Sequence, residues 1–436
     1  MAGQARQVLA APLMSRSHTH RQPSRQEPRP WEWLYEIVGF GMWAVSRARF
    51  DVQVVGRVPR VARGQVWIAT HRAETDVPLI GGLLTTRGGM WRPGAARMHF
   101  AARDDLFAPG VVSAGLRLPG RLARVAWQLT PGTWLPRVRA HPVRRPVGLK
   151  LSQALGGVDP DVPVADVVGP QILVALAARA SQVGRRPPST VGEARDATFA
   201  RALWQDVTRD DLCGHRGGEV WRSHVTRAAG DLRRLVGVVR DGEPLLLFPE
   251  GRVSPDGSIG PVGDVLEVIV RRGSPTSVVP IGIAYDPLRR GRVTVAVNVG
   301  SPHAPDGTPL CGLMSDRLRR CTPVTVGQVV ARELTAVAAS GGGMIASRSI
   351  LEALADTHDR ARHEHRPSVR GIRSAGRRVR SLARALDALE ARGLTEGGPL
   401  GDIRIHPDAV LADAVVQRLV QEDRAVWQSD ATPPDP

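Results

Sequence analysis

The chain has 436 residues, enough for one sizeable core with appendages or for two domains. Its 59 basic residues exceed the 42 acidic ones by 17, but Lys150 is the only lysine, and such a skew to arginine reads as coding bias more than as selection for phosphate. Two tyrosines, six phenylalanines and no zinc-finger spacing leave nucleic-acid binding without a motif, and a Walker A loop and a Gly-x-Ser-x-Gly elbow are both missing.

Residues 1–29 are rich in Arg, Gln, Ser and Pro, which predicts a flexible basic arm and not a signal peptide. Residues 30–50 carry Trp31, Trp33 and Trp43 around an apolar stretch broken by Glu36. That stretch falls short of the ~20 residues a spanning helix needs, so an amphipathic interfacial helix is expected. The alternative is a helix packed on the protein's own core.

Gln65-Val-Trp-Ile-Ala-Thr70 reads as a short buried strand with His71 at its end. Thr75 is placed to cap a helix through Asp76, Pro78, Leu79 and Ile80, because proline is tolerated in a first turn. A strand-to-helix turn would let Asp76 face His71. Histidine accepts a proton near neutral pH, and a carboxylate on its far nitrogen sets the tautomer and stabilises the imidazolium.

The stretch 108–217 holds Pro-rich turns, an acidic loop between Asp159 and Asp166 and a helical run near 171–183, without assignable chemistry. It reads as a large insertion, a lid or a partner surface. After Gly218-Glu-Val-Trp-Arg222, apolar positions at Val225, Ala229, Leu232, Val236 and Val239 follow a helical pattern. Asp241-Gly242 then supplies a turn, and Pro244-Leu-Leu-Leu-Phe248 reads as a buried strand ending in Pro249-Glu250-Gly251-Arg252. Gly251 would let backbone N–H groups approach an anion, and Arg252 would fork onto a phosphate. Further on, 278–283 is an apolar strand interrupted by Pro280, and 293–299 alternates with period two. Beyond residue 305 a mainly helical extension is expected, with an apolar stripe of Ile372, Val379, Leu382, Leu386 and Leu389 bordered by arginines. The stripe suits either anionic lipid or the core. Cys213, Cys311 and Cys321 fit neither a metal pattern nor an even disulfide framework, which suits a reduced, cytoplasmic setting.

His71-Arg-Ala-Glu-Thr-Asp76 and Phe248-Pro249-Glu250-Gly251, in this order, resemble the glycerolipid (lysophosphatidate-type) acyltransferase family. Asp51–Gly56, 99–107 and 278–283 resemble further family segments, Gly218–Arg222 resembles the family's strand ending in a phosphate-binding arginine, and 25 residues separate Arg222 from Phe248. The family block Phe-Pro-Glu-Gly-Thr-Arg-Ser departs here at Arg252 and Val253, which moves its cation by one position. The resemblance covers residues 50–107 and 217–302.

It implies an α/β fold with a central mixed β-sheet flanked by helices, in an acyltransferase domain at 51–305 with the insertion at 108–217 and the helical extension at 306–436. It implies transfer of a fatty acyl group from acyl-CoA or acyl carrier protein to a lysophospholipid or glycerol-phosphate hydroxyl, on the cytoplasmic face of a membrane. His71 would be the general base and Asp76 its orienter, and Arg222, Glu250, Gly251 and Arg252 would hold the acceptor's phosphate. No metal is required, and the acyl donor is a co-substrate, not a bound cofactor. The alternatives are transfer to a non-glycerol lipid or another alcohol, or an inert membrane-associated scaffold of the same fold.

Overall fold

A computed structural model describes residues 31–87, 90–91, 96–104, 134–144, 148–251, 253–254, 256–289, 291–398 and 401–427. The main strands are β1 (Phe50–Val55), β2 (Gln65–Ala69), β3 (His99–Arg103), β4 (Ala140–Val143), β5 (Leu245–Leu247), β6 (Ser277–Asp286) and β7 (Val293–Val299). The longer helices are α1 (Glu32–Arg49), α2 (Asp76–Thr85), α3 (Pro170–Gln182), α4 (Gly214–Arg240), α5 (Asp264–Gly273), α6 (Leu310–Cys321), α7 (Val326–Ala339), α8 (Ser347–His363), α9 (Ala375–Glu390) and α10 (Ala414–Trp427). The fold is α/β. The described residues divide into two compact units, one of those within 31–35 and 99–237, the other of those within 36–98 and 238–427.

The second unit is built on strands in the order β1-β7-β6-β2-β5. β7 runs parallel to β1 and antiparallel to β6, while β2 is parallel to both β6 and β5, so the sheet is mixed. Val278, Val279, Ile281 and Ile283 of β6 are fully buried, as expected of a strand covered on both faces. Pro280 sits where its cost is small. The β6–β7 ladder begins at Ile281, and just before it the Pro280 carbonyl accepts the Gly300 N–H at 2.8 Å.

The helical region beyond residue 305 is continuous with this core. Val329, Leu334, Ile350, Leu354, Leu386 and Leu419 cluster with Val55 and Ala296 from β1 and β7. The stripe is core as well: Ile372 just before α9 and Leu382, Leu386 and Leu389 on it are buried, Val379 is half-buried, and the charged side faces water. The region named an extension is therefore integral to the second unit.

The first unit has a core of its own, in which Leu151, Leu155, Val164, Ile172, Leu176, Phe199 and Leu203 pack together. Its strands β3 and β4 pair in parallel. The strand expected at Gly218–Arg222 does not form, because these residues lie inside helix α4. Gly217, in the same helix, stands close against the backbone at Val167. A side chain there would meet the Val167 carbonyl oxygen at 2.8 Å, so the glycine serves a close backbone approach, and Val220 and Trp221 pack on the core beyond it.

Helix α1 buries Tyr35 and Trp43 and exposes Trp33, Ile37 and Phe40 at 58%, 60% and 52%. Trp43 is thus a core residue and not an interfacial anchor. The exposed three recur at helical spacing and leave an apolar stripe on the opposite side. Among the described residues, no helix is long and apolar enough to cross a membrane.

Candidate active site

Strand β2 ends at Ala69, and Thr70 fastens that end to β6: its N–H donates to the Ile281 carbonyl at 3.1 Å and its Oγ1 accepts the Ile283 N–H at 2.9 Å. His71 follows, and helix α2 opens at Asp76. The turn between them faces the two side chains toward each other. His71 Nδ1 lies 3.1 Å from Asp76 Oδ2, and both residues are buried.

Asp76 is the hub. Its Oδ2 also accepts the backbone N–H groups of Arg72 at 2.6 Å and Ala73 at 2.8 Å, while Oδ1 accepts the Tyr285 hydroxyl at 2.7 Å. A carboxylate surrounded by donors in this way stays an acceptor, so the His71 proton belongs on Nδ1. That leaves Nε2 with a lone pair, and among the described residues it makes no hydrogen bond. The Phe248 ring tilts against the imidazole at 4.5 Å between centroids. Tyr285, on β6, also meets Thr75 Oγ1 at 3.0 Å, and burial together with the Asp76 charge raises its pKa far above the usual phenol value. It remains a donor. Thr75 stands directly before α2, where the sequence placed a helix cap, and its carbonyl accepts the Leu79 N–H at 3.1 Å.

The turn after β5 closes on the same segment. Glu250 Oε1 accepts the His71 N–H at 2.9 Å and Oε2 accepts the Gly260 N–H at 2.8 Å. Burial raises the Glu250 pKa, and those two N–H groups and the Arg72 charge pull against it. Ser254 donates its N–H to the His71 carbonyl at 3.0 Å. Asp256 ties the turn to itself by accepting from the Ser258 hydroxyl at 2.8 Å, the Ser258 N–H at 3.0 Å and the Ser254 hydroxyl at 2.9 Å, contacts that hold its carboxyl down at about 2. Arg72 is fully buried and its Nη1 donates to the carbonyls of Gly257 and, at 2.8 Å, Ser258. Gly251 adopts φ +68°, a left-handed conformation that makes glycine the natural residue in this turn.

The structure thus brings His71, Asp76 and Glu250 into one hydrogen-bonded cluster, with Gly251 next in the chain. Arg222 stands exposed on helix α4 of the first unit. Arg252 lies outside the described residues. Sequence reading missed Tyr285, Arg72 and Ser254. A polar-tipped aromatic closing the apolar run of β6 was the available signal for Tyr285. Among the described residues, no three His, Cys, Asp or Glu side chains gather as metal ligands would.

No family model matches the chain, and no curated protein matches it. Among solved structures it is similar to the 1-acyl-sn-glycerophosphate (LPA) acyltransferase PlsC from Thermotoga maritima. The identity is 17%, the match covers 73% of this chain and 88% of that one, and the TM-score is 0.31.

Proposed function

We propose that the protein is an O-acyltransferase that moves a fatty acyl group from acyl-CoA or acyl carrier protein to the hydroxyl of a lysophospholipid or glycerol phosphate. The observation that carries this reading is the buried His71–Asp76 pair, with Nδ1 held at 3.1 Å from the carboxylate and Nε2 left to accept a proton. His71 Nε2 takes the proton of the acceptor hydroxyl as its oxygen attacks the thioester carbonyl. Asp76 stabilises the imidazolium that forms. As the tetrahedral adduct collapses, the C–S bond breaks and His71 returns the proton to the departing thiolate, giving an ester and a free thiol.

Glu250 positions His71 in this scheme, because both of its oxygens are engaged by backbone N–H groups and a carboxylate repels a phosphate. The acceptor's phosphate falls to Arg252, which follows Gly251 in the sequence, an assignment that rests on the sequence pattern; the strand that was to end in Arg222 does not form, so Arg222 has no part in this scheme. The exposed stripe on α1 supports work at a membrane surface, and the cytoplasmic face is the side proposed.

The test is acceptor-dependent thiol release by the purified full-length protein, supplied with acyl-CoA or acyl carrier protein and a panel of lysophospholipids and glycerol phosphate. His71→Ala should lower turnover by about 10²–10⁴ while the folded state persists. No release with any acceptor, or near-full turnover by His71→Ala, would overturn the reading.

A further inference from the structure

The backbone of residues 71–73 is fully engaged by protein. The His71 N–H goes to Glu250 and its carbonyl accepts from Ser254; the N–H groups of Arg72 and Ala73 go to Asp76; the Ala73 carbonyl accepts the Asp76 N–H at 3.0 Å. The Arg72 carbonyl completes the set, and its donor comes from the far end of the chain. Arg418 Nη2, on helix α10, reaches it at 2.8 Å.

Arg418 is itself held by Glu422, one turn further along α10, with Nε to Oε1 at 3.2 Å. Glu422 is almost wholly buried, and its Oε2 meets Gln328 Nε2 of helix α7 at 3.4 Å. Burial raises its pKa, and the Arg72 charge leads the influences that oppose the rise. Among the described residues, the buried guanidinium of Arg72 has no hydrogen-bond partner for Nε and Nη2. A second carboxylate near two arginines balances charge that would otherwise stand uncompensated beside the candidate base.

We propose that Arg418 and Glu422 are positioning residues of the acyl-transfer site, through which helix α10 sets the backbone that carries His71. This rests on the acyl-transfer reading given above. Arg418 is partly open to solvent, with 36% of its side chain exposed, so water can take its place on the Arg72 carbonyl when it is removed. The fold then survives while the turn that aims His71 loosens. A misplacement of about 1 Å at a reacting group costs on the order of 10²-fold in rate.

The experiment compares Arg418→Met, Arg418→Lys and Glu422→Gln with the wild type in the full chain, measuring kcat, the KM of donor and acceptor, and thermal unfolding. Arg418→Met should lower kcat by about ten- to a hundredfold, with both KM values within about twofold of wild type. Arg418→Lys, which keeps a donor and the charge, should recover most of the loss. A folded Arg418→Met protein with wild-type kcat overturns the proposal, and so does a loss that appears in KM alone. Should Arg418→Met not fold, Glu422→Gln decides: a lowered kcat at unchanged KM supports the proposal, and wild-type kcat overturns it. Wild-type protein without turnover defeats the acyl-transfer reading first, and this proposal with it. Wild-type turnover with indifferent variants defeats this proposal alone.

Discussion

At the scale of single residues the site depends on how one carboxylate is surrounded. Tyr285→Phe removes the only side-chain donor to Asp76 Oδ1 among the described residues. A hydrogen bond to a charged group contributes roughly 1.5–3 kcal/mol, so the variant should unfold at lower denaturant by about that free energy. An unchanged midpoint would show that the phenol is dispensable. Asp76→Asn should be the more severe change for turnover. A neutral side chain cannot stabilise the imidazolium, and an amide that turns its nitrogen toward His71 holds the ring in the wrong tautomer, so turnover by Asp76→Asn in the same thiol-release assay should fall well below wild type.

Asp286 gives a test in pH. It is buried at the end of β6, accepts N–H groups from Gly327 at 2.8 Å and Leu288 at 3.1 Å, and burial lifts its pKa to about 6 from the ordinary 3.8. A raised carboxyl pKa means that the folded state binds the proton more tightly than the unfolded one. The stability it contributes is therefore complete below the unfolded value and is lost as pH rises through about 6. Across that window the loss is on the order of 3 kcal/mol. Asp286→Asn should abolish this component, so the wild type's stability relative to the variant should decline between about pH 4 and 6. Parallel denaturation curves across that range would reject the assignment.

At the scale of elements, two amphipathic helices that look alike in sequence behave differently. Helix α9 turns its apolar stripe inward, with Leu382, Leu386 and Leu389 buried. Leu386→Ala should therefore destabilise the fold by roughly 2–5 kcal/mol and leave lipid binding alone. Helix α1 turns a second stripe outward, and replacing Trp33, Ile37 and Phe40 together by serine should release the protein from anionic vesicles. Wild-type binding should survive high salt, since insertion of apolar side chains is not screened whereas charge attraction is, over about 8–10 Å at ordinary ionic strength. Wild-type protein washed off by salt would assign the binding to its arginines instead.

At the scale of the whole molecule, the C-terminal helices are not an appendage. Removing residues 414–436 takes away the buried side chains Val416, Leu419, Val420 and Val426. At about 1.5–3 kcal/mol each, their loss is comparable with the ~5–15 kcal/mol that holds a typical domain together. The truncated protein should lose its cooperative thermal transition, and a sharp native-like melt would show the second unit to be complete without α10.

The sequence alone determined the local features: a buried strand ending at His71, a helix opening at Asp76 and a tight turn at Glu250-Gly251. Each follows from short-range apolar runs and turn chemistry. It also offered the His71–Asp76 pair, through the resemblance of that block to the acyltransferase family and a turn that would let the chain fold back. Only tertiary structure decided the rest. Gly218–Arg222 became helix, with Gly217 close to the Val167 carbonyl and Val220 and Trp221 on the first unit's core, contacts that have no local signature. The α9 stripe went to the core and the α1 stripe to the surface, since periodicity marks a face without naming what covers it. Arg418 reached Arg72 across 346 positions because folding sets which distant groups meet, and no spacing in a chain records that.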